Sequence, residues 1–373
     1  TDSSFPRIQV MTELRTPQPL PYHNVANFKF VYPTLSRRSK GISIGVNLNP
    51  DKVCNFDCIY CQVDRRSEAE TKFVELDRLL TELDTMLTEV ETGHIFEEGR
   101  FADTPADRRR VNDIAFAGEG EPTTYKNFDQ IVEAVANLKR RHGLDHVKMV
   151  LITNASMFHR PVVQRGLEIF DANQGEIWAK LEAGTEAYYK LVDRTVIPFQ
   201  QILDNILAAS RIRPLVIQAL FMRVHGEPPP AEEIAAWCGR LRDIVQGGGK
   251  LKLVQVYTVA RRPAEDFVAP LTNPELEEIA RQVRELGLPA EIYGSTERGL
   301  AKIVPRFLGT FGGDVDRINE TSDPVIPPRV GTIRTTNHLA HPNTSPSGIL
   351  PSAWGCRECD DPRSGPTTIT PIL

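Results

Sequence analysis

GISIGVNLNPDKVCNFDCIYCQ, residues 41–62, joins a short apolar run to three cysteines held within eight residues, and the reading of that junction decides the fold. Gly41 to Leu48 is nearly continuous in apolar side chains, as expected of a strand covered on both faces. Cys54 follows after a short loop and would lie at the strand's carboxyl end. βα barrels and open α/β sheets alike place their chemistry at that edge.

Downstream, similar apolar runs alternate with long amphipathic segments. VNDIAFAG (111–118), HVKMVLIT (146–153), GEIWAKLEA (175–183), PLVIQALFM (214–222), KLKLVQVYTV (250–259) and AEIYG (290–294) read as strands. Between them, residues 74–90, 128–138, 161–169, 198–209, 231–245 and 274–286 read as helices; in the first, Leu76, Leu79, Leu80, Leu83, Met86, Leu87 and Val90 fall at helical spacing. Repeated βα units imply a parallel sheet, either a barrel or a doubly wound sheet. Residues 1–40 carry prolines and no clean period, and are expected to form an extended arm, with regular structure starting at Gly41. Residues 301–373 are rich in proline, glycine, serine and threonine and are expected to form an irregular, disordered tail. Its one chemical feature is the pair Cys356 and Cys359, candidates for zinc binding or redox exchange.

The chain has 373 residues, 40% hydrophobic and 25% charged, with a formal charge of −5 and a pI near 6.0. That balance gives no clear nucleic-acid signature and no basic face for an anionic membrane. The runs Arg108–Arg110 and Lys139–His142 read as solvated helix faces. TDSSFPRIQV has no signal-like apolar core, and no run reaches the length of a membrane span. The expected compartment is the reducing cytoplasm, where clustered cysteines act as metal ligands or redox groups.

A structural zinc site takes four protein ligands, and cubane iron–sulfur clusters usually take four cysteines. Cys54, Cys58 and Cys61, spaced C-x3-C-x2-C, supply three. One position would then stay open for a substrate or cofactor. These residues, with Tyr60 before the last cysteine, resemble the signature of the radical S-adenosylmethionine (SAM) superfamily. The resemblance covers about Gly41 to Glu297 and implies a partial (β/α)6 TIM-type barrel of parallel strands, with six core strands and a possible seventh at the edge. It implies that the three thiolates hold a 4Fe-4S cluster and that the fourth iron is chelated by the amino and carboxylate groups of SAM's methionine portion. Reductive cleavage would then yield a 5'-deoxyadenosyl radical that abstracts hydrogen from an unidentified substrate, with an electron donor such as flavodoxin or ferredoxin as partner.

A second element supports the resemblance. VNDIAFAG runs into Gly118-Glu119-Gly120-Glu121-Pro122, similar to the family's GGEP motif and implied to contact the SAM amino group. Glycine permits close main-chain approach to a ligand. The third strand ends in Asn154-Ala155-Ser156, where the family often has a TNG-like segment; Asn154 and Ser156 are candidate SAM contacts, and Ser156 could equally cap a helix. In the fourth strand, alternation puts Trp178, Lys180 and Glu182 on one face. Buried charges there are costly unless paired or used, and the family resemblance makes Lys180 and Glu182 candidates for holding SAM. Gln218, Gln255 and Tyr257 interrupt apolar runs, and Arg223, His225 and Arg261 lie just past strand ends; Gln218 is a candidate cofactor contact, Tyr257 and Arg261 candidate catalytic residues. Cys238 reads as buried packing.

Residues 180–184 and 254–261 look similar to bacterial iron–sulfur oxidoreductases related to the tRNA wyosine-forming enzymes, although this chain has no cysteine before Cys54 for a second cluster. A glycyl-radical-enzyme activase and a tRNA-modifying enzyme are alternatives within the family. Outside it stand a zinc-stabilised binding module and an iron–sulfur electron-transfer protein.

Overall fold

The computed structural model describes residues 28–36, 41–65, 67–69, 71–263 and 265–294. The expectations for most of the arm and for the tail, including Cys356 and Cys359, lie outside the described residues. In chain order the strands are β1 (Val31–Ser36), β2 (Gly41–Val46), β3 (Val111–Phe116), β4 (Lys148–Thr153), β5 (Gly175–Lys180), β6 (Leu215–Leu220), β7 (Met222–Val224), β8 (Leu251–Tyr257), β9 (Val268–Pro270) and β10 (Ala290–Tyr293). The helices are α1 (Leu76–Thr92), α2 (Phe128–Arg141), α3 (Pro161–Asp171), α4 (Glu186–Asp193), α5 (Phe199–Ile212), α6 (Ala231–Gln246) and α7 (Asn273–Glu285).

One sheet runs in the order β1-β2-β3-β4-β5-β6-β8-β10, and from β2 to β10 every pairing is parallel. It curls into a partial TIM-type barrel of six core strands, with β10 as the edge seventh. The apolar content of the strands follows from cover on both faces. Ala115, Val150, Trp178 and Val216 form a small cluster on one face, joined by Ile152 and Leu253. The opposite face meets the helices in the main core, where α1 contributes Leu79, Leu83, Met86, Leu87 and Val90. Each such side chain contributes roughly 1.5–3 kcal/mol of burial free energy. α7 is started by a capping box, with Thr272 accepting from the Glu275 amide and Glu275 accepting from the Thr272 amide. Among the described residues no helix is long and apolar enough to cross a membrane.

Three expectations need correction. Regular structure begins before Gly41, because β1 pairs antiparallel with β2 from Val31↔Val46 to Ser36↔Gly41. Its Pro33 resembles a breaker, but proline is tolerated on an edge strand. Second, the chain turns after β6 into a separate antiparallel pair, β7 with β9, too short to give a sequence period; α4, of eight residues, is missed for the same reason. Third, Lys139 does not lie on a solvated face. It is buried and donates to the carbonyls of Val147 at 2.5 Å, Asn173 at 3.0 Å and Asp145 at 3.4 Å.

Candidate functional site

The loop after β2 carries the three cysteines, all partly buried and none in a disulfide. Its backbone is fixed against the end of α4: the Asp57 amide donates to the Asp193 carbonyl at 3.1 Å and the Ile59 amide to the Val192 carbonyl at 2.9 Å. Within the loop the Cys61 amide donates to the Cys58 carbonyl at 3.0 Å. The Cys58 thiol donates to Asp193 Oδ1 at 3.4 Å. Burial pushes this thiol well above its usual range, and the Asp193 and Glu182 carboxylates push it further. Arg65 donates from Nη2 to Cys61 Sγ at 3.6 Å and from Nη1 to the Lys52 carbonyl at 3.0 Å. Its Nε is buried with no hydrogen-bond partner among the described residues.

The Gly118–Glu121 turn, after β3, is packed onto the base of this loop. A Cβ on Gly118 would overlap the Asn47 side chain, and one on Gly120 would overlap the Val53 carbonyl, one residue before Cys54. Glycine is therefore required by close approach, not by a left-handed φ. Asn47 bridges the two segments: its Oδ1 accepts from the Asn49 amide at 3.0 Å and the Glu119 amide at 3.1 Å, while its Nδ2 donates to Glu119 Oε2 at 2.9 Å. Glu121 turns inward. Its carboxylate accepts from the Thr123 amide and hydroxyl, the Thr153 hydroxyl at 2.6 Å and the Asn154 amide at 2.7 Å. These bonds tie the β3 loop to the end of β4, and partly offset the burial that raises its pKa.

At the end of β4, Asn154 donates from Nδ2 to Asn55 Oδ1 at 2.8 Å, and Asn55 donates in turn to Ser156 Oγ at 2.8 Å. Asn154 Oδ1 accepts from the Ser156 hydroxyl at 2.6 Å. The β4 loop is thus bonded directly to the residue after Cys54. Ser156 is not the cap of α3, whose N-cap is Arg160. Ala155 has φ of +61°, the left-handed conformation for which glycine is favoured. It is held there by bonds from its amide to Thr153 Oγ1 at 3.0 Å and to its carbonyl from Asn205 Nδ2 at 2.9 Å.

Lys180 closes β5, and Glu182 lies just beyond it. Lys180 Nζ donates to the Tyr60 hydroxyl at 3.0 Å, Glu182 Oε1 at 3.3 Å and the Tyr257 hydroxyl at 3.4 Å, and sits 4.7 Å from the Tyr60 ring centroid. The Tyr60 hydroxyl donates to Glu182 Oε2. Burial would lower the Lys180 pKa, but Glu182, Tyr257 and Cys58 reverse this and hold the ammonium charged. Burial, with Glu182 next, pushes the Asp193 carboxyl well up. Gln218, opposite Lys180 in the sheet, donates to Gln255 at 2.8 Å.

The structure therefore brings the cysteine loop, Gly118–Glu121, Asn154, Ser156, Tyr60, Lys180, Glu182 and Tyr257 into one connected cluster. Tyr60, Asn154, Lys180 and Glu182 line a single small cavity with Asp193 and Phe56. Arg261 is exposed, its carbonyl accepting from Gln62 Nε2 at 3.5 Å. Arg223 ties β7 to the start of α7 through Glu275, and His225 stacks on Phe267 with centroids 4.5 Å apart. Cys238 is buried in α6. Sequence reasoning missed Asn47, Asn55, Arg65, Asp193 and Asn205. Their identities are ordinary, and only the fold sets them against the motifs; the spacing of Arg65 four residues after Cys61 was the one available signal.

Among the described residues no three His, Cys, Asp or Glu converge to hold a single metal ion. A tetrahedral zinc site would require thiolate sulfurs about 3.8 Å apart. In a cubane each cysteine binds a different iron, so the three need not meet at one point. The orphaned Arg65 Nε beside Cys61 suits an anionic sulfur-rich group, and the residues present fit such a cluster.

A family model described as the radical SAM superfamily matches residues 48–238, just over half of the chain. A protein of Brachyspira hyodysenteriae named GTPase Obg is 24% identical over 267 residues, covering 70% of this chain and 34% of that one. A UPF0026 protein of Helicobacter pylori strain J99 is 27% identical over 184 residues, covering 48% of this chain and 51% of that one. The chain thus spans a third to a half of the length of these relatives. Among solved structures, a radical SAM methyltransferase from Sphaerobacter thermophilus superposes with a TM-score of 0.50 at 10% identity, covering 73% of this chain and 80% of that one. At that identity the likeness speaks for the fold.

Proposed function

The chain belongs to the radical SAM superfamily of enzymes, and from that premise we propose that Cys54, Cys58 and Cys61 ligate a 4Fe-4S cluster whose open iron takes SAM. When bound, this pair supplies reductive cleavage of the SAM sulfur–carbon bond, giving methionine and a 5'-deoxyadenosyl radical that abstracts hydrogen from an unidentified substrate. The chain's own residues bind and orient. Main chain at Gly118 to Gly120 and the carboxylate of Glu119 offer acceptors for an ammonium group, and Glu121 fixes that turn from behind. Asn154 and Ser156 orient the cofactor from the β4 side. Lys180, held charged, presents a cation to a carboxylate or hydroxyl, with Tyr60 and Glu182 positioning it. Tyr257, bonded to Lys180, is the candidate catalytic group of that side-chain cluster, while Gln218, bonded to Gln255, and the exposed Arg261 stand outside it.

The observation that carries this reading is the packing of the glycine turn against the Val53 carbonyl, immediately before Cys54. It places the acceptor-rich turn and the thiol loop side by side at the carboxyl edge of β2 and β3. The test is anaerobic reconstitution followed by dithionite and SAM. The expected products are 5'-deoxyadenosine and methionine in equal amounts, abolished by Cys58→Ala. An intact cluster that yields no deoxyadenosine would sink the proposed reaction. Zinc without iron or sulfide in the purified protein would favour a zinc-stabilised module.

A further inference from the structure

Arg65 is the one cation in hydrogen-bond contact with a motif cysteine among the described residues. Its guanidinium spans the loop: Nη1 holds the Lys52 carbonyl at 3.0 Å, upstream of Cys54, and Nη2 reaches Cys61 Sγ at 3.6 Å. Lys52 has φ of +60°, and its own ammonium donates to Ser67 Oγ at 2.6 Å. The two segments flanking the cysteines are therefore stapled in both directions, and the staple aims the guanidinium. Cys54 also lies within electrostatic reach of the same group. Nε remains buried without a partner among the described residues, so the guanidinium keeps one unused donor.

We propose that Arg65 is a positioning residue that donates to the Cys61 sulfur and, through its fixed charge, makes the bound cluster easier to reduce. The inference rests on the cluster reading above. Hydrogen bonds to cluster sulfurs and nearby net charge are among the levers that set an iron–sulfur reduction potential. A cation beside Cys61 stabilises the reduced form, which carries one more negative charge. Charge-assisted donors are roughly twice as strong as neutral ones, and the guanidinium presents its donors in a rigid planar fork, whereas a lysine ammonium is a point charge on a flexible stem.

The test uses the full chain, reconstituted anaerobically, with iron and sulfide counted and the midpoint potential read by an EPR-monitored titration without SAM. Arg65→Met is expected to hold the cluster with a potential lower by about 59 mV or more, a tenfold loss in the one-electron equilibrium. Arg65→Lys is expected to recover part of that shift. Wild-type iron content with unchanged potential in both variants overturns the proposal, and so does a fall in melting temperature alone, which would make Arg65 only a loop staple. A second measurement needs no variant: wild-type protein labelled with 15N-arginine should show a nitrogen coupled to the reduced cluster, and its absence overturns the proposal even where Arg65→Met fails to fold. Wild-type protein that binds no iron would defeat the functional reading itself, whereas a cluster without the coupling or the shift defeats only the role of Arg65.

Discussion

Gly120 can carry no side chain, because a methyl group there would press on the Val53 carbonyl and the Asn49 side chain. Backbone cannot move aside as a flexible side chain can, so Gly120→Ala should cost about 1–3 kcal/mol and displace the segment leading to Cys54. The expected result is a lower melting temperature together with less iron retained per chain after reconstitution; wild-type values for both would show that the contact is not tight. Lys180 and Glu182 make a second case. Their side chains are 24% and 2% exposed, and Lys180→Met leaves the Glu182 carboxylate with the Tyr60 hydroxyl but without a cation. A double-mutant cycle of Lys180→Met and Glu182→Gln in the apo protein, followed by urea unfolding, should give a coupling of about 0.5–3 kcal/mol. Additive losses would mean that the two groups do not interact.

Among the elements, strands β2, β3, β4, β5, β6, β8 and β10 were legible because continuous apolar runs and amphipathic helices alternate, and burial on both faces writes that pattern into the sequence. β1 was not, since its anchor is distant. Glu82, buried in α1, accepts from the amides of Lys29, Phe30 and Val31 and from Arg78 at 2.9 Å. No local pattern announces a helix carboxylate that caps the start of a strand some fifty residues upstream. Removing it orphans buried donors at about 1–3 kcal/mol each, so Glu82→Ala should release β1, seen as fast amide exchange at Val31 and Leu35 while β4 stays protected. His142, at the end of α2, meets Asp84 at 2.9 Å and Glu91 at 3.0 Å from α1. Burial would lower its pKa, but the two carboxylates raise it above 6.5 overall. A raised folded-state value contributes stability that is complete below the unfolded pKa and lost as pH rises through the folded one. The melting temperature of wild type should therefore exceed that of His142→Gln at about pH 6, with the gap closing by about pH 9. A gap independent of pH would rule out the charged imidazole as the cause.

Across the whole molecule, the cysteines and the Gly118–Glu121 turn stand out in the sequence because the chemistry proposed for them asks for fixed residue types at fixed local spacing. The shell around them could not, because Asn55, Arg65 and Asp193 gain their roles only when three strand ends and α4 are brought together. That convergence has a thermodynamic consequence. The segment from Asn47 to Arg65 has no helix or strand of its own; its order comes from side-chain bonds to Asn154, Asp193 and Glu119 and from amides laid against α4. A group bound by Cys54, Cys58 and Cys61 would tie the same segment together from within, and whatever binds the folded state alone stabilises it by mass action, about 2.7 kcal/mol at a hundredfold excess over its Kd. For a domain of this size that corresponds to a rise in melting temperature of about 5–10 °C. Removing the metal under chelator and oxidant should lower the anaerobic melting temperature by that amount and should make the Asn47 to Arg65 segment the first site cut by a protease. Equal melting temperatures with and without iron, or first cleavage elsewhere in the barrel, would show that this loop is organised by the protein alone and not around a metal centre.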